Sequence, residues 1–128
     1  VAEGSVQLIE PPWKMLLANK ALLPVLWELF PGHPNLLPAH FTPEPLGARY
    51  VRKPKLAREG ANVTLVDGPF SESSDGGYGA EGFVYQALAP LPRFGRDHVV
   101  VGAWVVDGVP AGIGLRELQA REVARDRV

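Results

Sequence analysis

The chain has 128 residues, with 13 Lys plus Arg against 14 Asp plus Glu and a formal net charge of -1. That balance excludes a generic polyanion binder, whose non-specific affinity for nucleic acid comes from excess cations. With no cysteine, disulfide scaffolds and thiolate metal sites are excluded as well. The length suits one domain spanning residues 1–128, and 46% hydrophobic with 21% charged residues is a globular composition. Glycine and proline together make up about a fifth of the chain, so many turns and interrupted elements are expected.

The start, Val-Ala-Glu-Gly-Ser, has neither an initiating Met nor a basic leader. It suggests a processed product or a piece cut from something longer. Val6 to Ile9 reads as a short strand ending at Glu10-Pro11-Pro12. From Trp13 the period becomes helical: Trp13, Leu16, Leu17, Leu23, Leu26, Trp27 and Phe30 recur at spacings of three and four. A break near Asn19, with Pro24 in the first turn of a second helix, respects the missing proline N–H. The same stretch is the most apolar of the chain, yet Asn19, Lys20, Pro24 and Glu28 interrupt it, so no membrane span is expected. A cytoplasmic location fits that and the lack of cysteine.

Residues 31–48 hold five prolines and read as a crossing loop. Strands are expected over Arg49 to Pro54, Asn62 to Val66 and Gly82 to Leu88. His98 to Val106 and Pro110 to Leu115 read as a hairpin turning at Asp107-Gly108. The stretch from Leu115 to Val128 is charged and helix-compatible. N-terminal helices packed on a mostly antiparallel sheet make the fold α+β. The three tryptophans are read as core.

The segment Tyr50 to Val63 carries the most chemistry. A strand delivers Lys53 to its end, and the loop with Gly60 then offers backbone amides and small residues that a phosphate can approach. A hairpin loop whose basic residues are merely solvated fits the same residues, and both readings stand at this level. Ser73 to Gly79 is a second Gly-rich stretch, a phosphate lid or a mobile hairpin loop. Tyr85-Gln86-Ala87-Leu88 offers a strand end to a purine edge. No Walker A loop, H-E-x-x-H or G-x-S-x-G motif occurs. His33, His40 and His98 lie far apart, which points away from a histidine metal site.

Four stretches resemble the glutathionylspermidine synthase family of ATP-grasp ligases: EPPWKMLLANKALLPVLWELFPGHPNLLPAHF, YVRKPKLAREGANV, GGYGAEGFVYQALAPLP and VGAWVVDGVPAGIGLRE. They cover nearly everything from Glu10 to Glu117. The resemblance implies an ATP-grasp subdomain forming the C-terminal ATP-binding portion of an amide-forming ligase. It implies Lys20 and Lys53 as nucleotide-binding lysines. It implies Arg58, Gly60, Ala61 and Asn62 as the loop closing over the triphosphate, and Gln86, Ala87 and Leu88 as the hinge holding adenine. Arg116 matches an arginine near the reaction centre. The implied reaction phosphorylates a carboxylate with ATP, and an amine then displaces phosphate from the acyl phosphate. Glutathione and spermidine are the implied acid and amine.

Mg²⁺ is implied as well, with its acidic ligands expected outside this chain, so the piece alone is expected to be inactive. Residues 118–128 do not resemble the family's continuation, and no amidase domain is visible. The alternative is a catalytically silent nucleotide-binding or interaction module. The apolar face around Trp13, Leu17, Leu26 and Trp27 also raises self-association as an expectation.

Overall fold

The fold is given by a computed structural model, which describes residues 12–118. The expected strand at Val6 to Ile9 and the tail from residue 119 lie outside that range. Pro12–Ala18 is a 3-10 helix without a buried residue. The Asn19 side chain then accepts the Ala21 N–H at 2.9 Å and starts helix α1, Leu22–Leu29. Pro24, third in α1, lies where its missing N–H costs no intrahelical bond, and it is buried. The break at Asn19 is as expected. The first segment differs: a tight 3-10 turn leaves Trp13 60% exposed and Leu17 65% exposed, so the helical stripe there is not core.

The strands are β1 (Ala39–His40), β2 (Arg49–Pro54), β3 (Thr64–Asp67), β4 (Phe70–Ser73), β5 (Phe83–Ala87), β6 (Arg93–Phe94), β7 (Asp97–Val106) and β8 (Val109–Leu118). A short 3-10 turn, Glu44–Leu46, precedes β2. All pairings are antiparallel. One sheet has the order β1-β5-β2-β3-β4 and the other β6-β7-β8. The α+β class read from the sequence is therefore observed.

β2 spans the residues expected of it. β3 starts two residues later than expected because Asn62 adopts a left-handed φ of 53°. β4 was not expected: Phe-Ser-Glu-Ser is exposed throughout, and its pairing depends on the Gly68 turn at φ 61°. The β7–β8 turn is as expected, with Asp107 at φ 49° and Gly108 at φ 75°. The end of β8 is strand where a helix-compatible stretch was expected. From Leu115 to Leu118 it pairs with His98 to Val101 of β7.

One face of the five-stranded sheet holds the core. The register sets Val51, Leu65, Val84 and Ala39 on that face, each no more than 3% exposed. α1 packs against β1 and β5. On the other face Tyr50 and Tyr85 meet edge to face at 5.7 Å, and the Arg52 guanidinium lies 4.5 Å from the Phe83 ring centre.

Candidate functional site

Strand alternation determines which side chains reach the site. Val51 and Lys53 share the buried face of β2, and Val84 and Gln86 share it on β5. Lys53 is opposite Val84 and Gln86 is opposite Val51, so Lys53 and Gln86 are diagonal neighbours. Their long side chains close that gap, and the Lys53 ammonium donates to Gln86 Oε1 at 2.8 Å. Lys53 is only 6% exposed, a charged group among Val51, Val84 and Leu65.

A second lysine is tied to the same place by the backbone. The Lys20 N–H donates to the Lys55 carbonyl at 2.8 Å, and Lys55 N–H donates to Gly82 at 3.0 Å. These bonds anchor the start of α1 to the end of β2. The Lys20 ammonium donates to the Ala57 carbonyl at 2.9 Å.

Among the described residues neither ammonium meets a carboxylate. Burial chiefly, with the nearby Lys20 charge second, lowers Lys53 from 10.5 to about 8. Burial also holds Lys20 below its ordinary value. Two partly desolvated cations, each with donors to spare, make an electrostatic site for an anion with several oxygens.

The loops beside the lysines interlock. Ser74 Oγ donates to the Gly60 carbonyl and accepts the Val63 N–H, while Asn62 Nδ2 donates to the Tyr78 carbonyl. Ala61 N–H donates to the Arg58 carbonyl, and Asn62 N–H to that of Asp75. The amides of Ala61 and Asn62, expected to face a triphosphate, are engaged within the protein. Gly60 has the left-handed φ of 66° that its loop needs. Arg58 is exposed and, with Met15, Ala18, Leu56, Ala57 and Tyr78, lines a cleft of about 400 Å³. Ala57, in that lining, also receives the Lys20 ammonium.

Lys20, Lys53 and Gln86 are thus brought together, and Arg58, Gly60, Ala61 and Asn62 form one braced loop following them. The Gln86 side chain serves Lys53, and the Ala87 N–H donates to the Pro38 carbonyl at 2.8 Å. Leu88 follows β5 and is half-buried. Arg116 stands on β8 opposite Val100, in the other sheet, so no strand pairing sets it beside the lysines. Ser74, which locks the two loops, was not singled out individually. Its hydroxyl sits in a Ser-Ser-Asp-Gly-Gly run that shows only flexibility. Trp104 is 68% exposed and Trp27 half-buried, so the core reading fails for Trp104 as for Trp13. No group of three or more His, Asp or Glu that could hold a metal occurs among the described residues. No helix among them is long and apolar enough to cross a membrane.

Fold and site define an α+β domain with Lys53 and Lys20 brought together at the end of a central strand. The chain belongs to the family described as glutathionylspermidine synthase preATP-grasp, which matches residues 1–127. That description corrects the expectation of the C-terminal ATP-binding portion: the matched region is the preATP-grasp part of the synthase.

A Haemophilus influenzae protein named "Putative acid–amine ligase" is 45% identical over 91% of this chain and 32% of its own length. Trypanothione synthetase of Crithidia fasciculata is 36% identical over 90% of the chain and 18% of its own length. The bifunctional glutathionylspermidine synthetase/amidase of Escherichia coli is 35% identical over 87% and 19%. The chain therefore spans a third or less of the relatives it matches.

Proposed function

We propose that this chain contributes polyphosphate contacts to an ATP-dependent ligase that joins a carboxylic acid to an amine. The observation that carries this reading is the buried Lys53 with the half-buried Lys20 near it, neither meeting a carboxylate among the described residues. A structural lysine as buried as Lys53 is normally neutralised by an acid, so its lack of one among the described residues fits an anionic ligand. The names of the relatives, all ligases or synthetases, support the class of reaction.

In this reading Lys53 and Lys20 hold phosphate oxygens of ATP, and Gln86 aims the Lys53 ammonium. The loop of Arg58, Gly60, Ala61 and Asn62 covers the phosphates, while Leu88 and the end of β5 border the base. Transfer of the terminal phosphoryl group to a carboxylate gives an acyl phosphate, and attack by an amine releases phosphate. Arg116 stabilises charge at that centre once it is brought near. Mg²⁺, when bound, neutralises phosphate charge, and its ligands come from beyond the described residues. Glutathione and spermidine are the proposed acid and amine, because the Escherichia coli relative carries glutathionylspermidine in its name. The fold reading that goes with this is an ATP-grasp subdomain, working in the cytoplasm.

Calorimetric titration with ATP, with and without Mg²⁺, tests the site. Saturable binding by the wild-type chain is expected. Lys53→Met should lose about 1.5–3 kcal/mol, the range for a hydrogen bond to a charged group. Lys20→Met should behave alike. Affinity unchanged in both variants would remove the assignment.

A further inference from the structure

We propose that Lys55 is a third cation of the site formed by Lys20 and Lys53, an assignment that rests on their role in holding polyphosphate. Lys55 meets the terminal phosphoryl group, so the site holds a triphosphate more tightly than a diphosphate.

The backbone sets the position. Lys55 directly follows β2, and its N–H donates to the Gly82 carbonyl at 3.0 Å, carrying the β2–β5 ladder one pair past Pro54 and Phe83. Its own carbonyl accepts the Lys20 N–H at 2.8 Å. Lys55 is therefore pinned between β5 and the start of α1. Strand alternation puts it on the side of β2 that Lys53 occupies, two residues further along.

The side chain is guided by what stands opposite. Gly82 leaves the strip beside it open, and a Cβ there would stand 3.5 Å from Lys55 Nζ and 3.8 Å from its Cε. Lys55 thus extends across Gly82, and its ammonium ends 5.7 Å from the centre of the Phe41 ring, within cation–π range. Among the described residues that ammonium makes no hydrogen bond or ion pair. Glu28 lines a cavity of about 290 Å³ together with Phe41 but forms no ion pair with Lys55. A ring face takes up none of the ammonium's donors as an oxygen would, so they stay available to a ligand. Phe41 is 48% exposed and Lys55 half-buried, which leaves the ammonium within reach of one.

The order along β5 selects the phosphoryl group. With the base bordering Leu88, Lys53 stands opposite Val84, and Lys55 is bonded to Gly82, two residues further from the base. At the strand rise of about 3.3 Å per residue, Lys55 is about 7 Å beyond Lys53, a step that carries from the inner phosphoryl groups to the last. The other phosphate contacts lie the same way: the Lys20 ammonium bonds the Ala57 carbonyl, and the loop from Arg58 to Asn62 follows. A diphosphate held by Lys20 and Lys53 ends short of Lys55. The diphosphate left after phosphoryl transfer therefore loses this contact.

Calorimetric titration of the 128-residue chain with inorganic tripolyphosphate and with pyrophosphate, both without Mg²⁺, tests the assignment. Lys55→Gln should weaken tripolyphosphate about ten- to a hundredfold, as for a hydrogen bond to a charged group, and pyrophosphate less than about threefold. Lys55→Met, read beside it, should give the same selective loss, so that a folding defect in one variant does not decide the outcome. Lys55→Arg keeps the charge and should restore most of the preference for tripolyphosphate. Equal losses for the two anions, or no loss for either, overturn the assignment and leave the Lys20 and Lys53 contacts standing. Lys53→Met should weaken both anions. If it weakens neither, or if the wild-type chain binds neither, the polyphosphate role fails and the Lys55 assignment fails with it.

Discussion

The two sheets of this chain are built from similar residues and end in opposite states. The five-stranded sheet, with α1 packed against β1 and β5, buries Val51, Leu65 and Val84 and can therefore keep a lysine among them. The hairpin sheet is richer in valine, and none of its residues from Val101 to Glu117 is even half-buried. β-branched composition makes a strand, but a strand becomes core only when a second layer is supplied. In the first sheet α1 supplies part of that layer, against β1 and β5. The perturbed cations of this molecule lie where that layer exists, because desolvation is what shifts a lysine.

Substitutions can break this contrast. The largest expected effect is in the buried sheet: Leu65→Ala should cost about 2–5 kcal/mol of unfolding free energy, the range for a core leucine. Ile113→Ala, equally apolar but 73% exposed, should stay within about 0.5 kcal/mol. Urea denaturation of both variants checks the pair, and equal losses would mean the hairpin is buried in solution.

Lys53→Met is the next sharpest case. It should abolish most polyphosphate affinity while leaving the unliganded chain at least as stable at pH 7, because an uncompensated buried charge is removed. Thermal melting with and without tripolyphosphate separates the two effects. A Tm drop without ligand would show that the ammonium is needed for folding.

Gly76→Ala tests how the loops are locked. A Cβ there would stand 2.7 Å from Ala61 Cβ and 2.9 Å from the Asn62 nitrogen, at a φ of 156°. The expected cost is about 1–3 kcal/mol, as for overpacking elsewhere. Gly77→Ala meets nothing within 4 Å and should be close to neutral. Proteolysis between residues 58 and 79 reports the difference.

Much of the fold was legible because its signals are local. The limits of β2, the Asn19 break and the Asp107-Gly108 turn each depend on a few neighbouring residues. What was misread depends on tertiary context. Trp13 and Leu17 have helical periodicity and Trp104 lies in a continuous apolar run, and neither pattern says whether anything covers the apolar face. β4 has no apolar alternation and exists because β3 offers it an edge. For the site, the lysines stood out through family resemblance and through Lys53's strand-end position. The diagonal bond from Lys53 to Gln86 depends on the β2–β5 register, which joins residues 33 positions apart and leaves no local trace. Ser74 as a lock on Gly60 escaped for the same reason.

The lysine site also makes a pH dependence with two opposite signs. Burial disfavours the Lys53 ammonium, so the unliganded fold carries its full penalty below pH 8. It is relieved of that penalty between about 8 and 10.5, where stability should rise with pH. A polyanion favours the ammonium, so affinity should be greatest below pH 8 and fall above it.

The most direct measurement follows the Lys53 side-chain nitrogen by NMR through a pH titration, with and without tripolyphosphate. A midpoint near 8 in the free chain, moving upward by a unit or more when the anion binds, is the expected result. A midpoint at the ordinary 10.5 that the anion does not move would contradict the paired-lysine site.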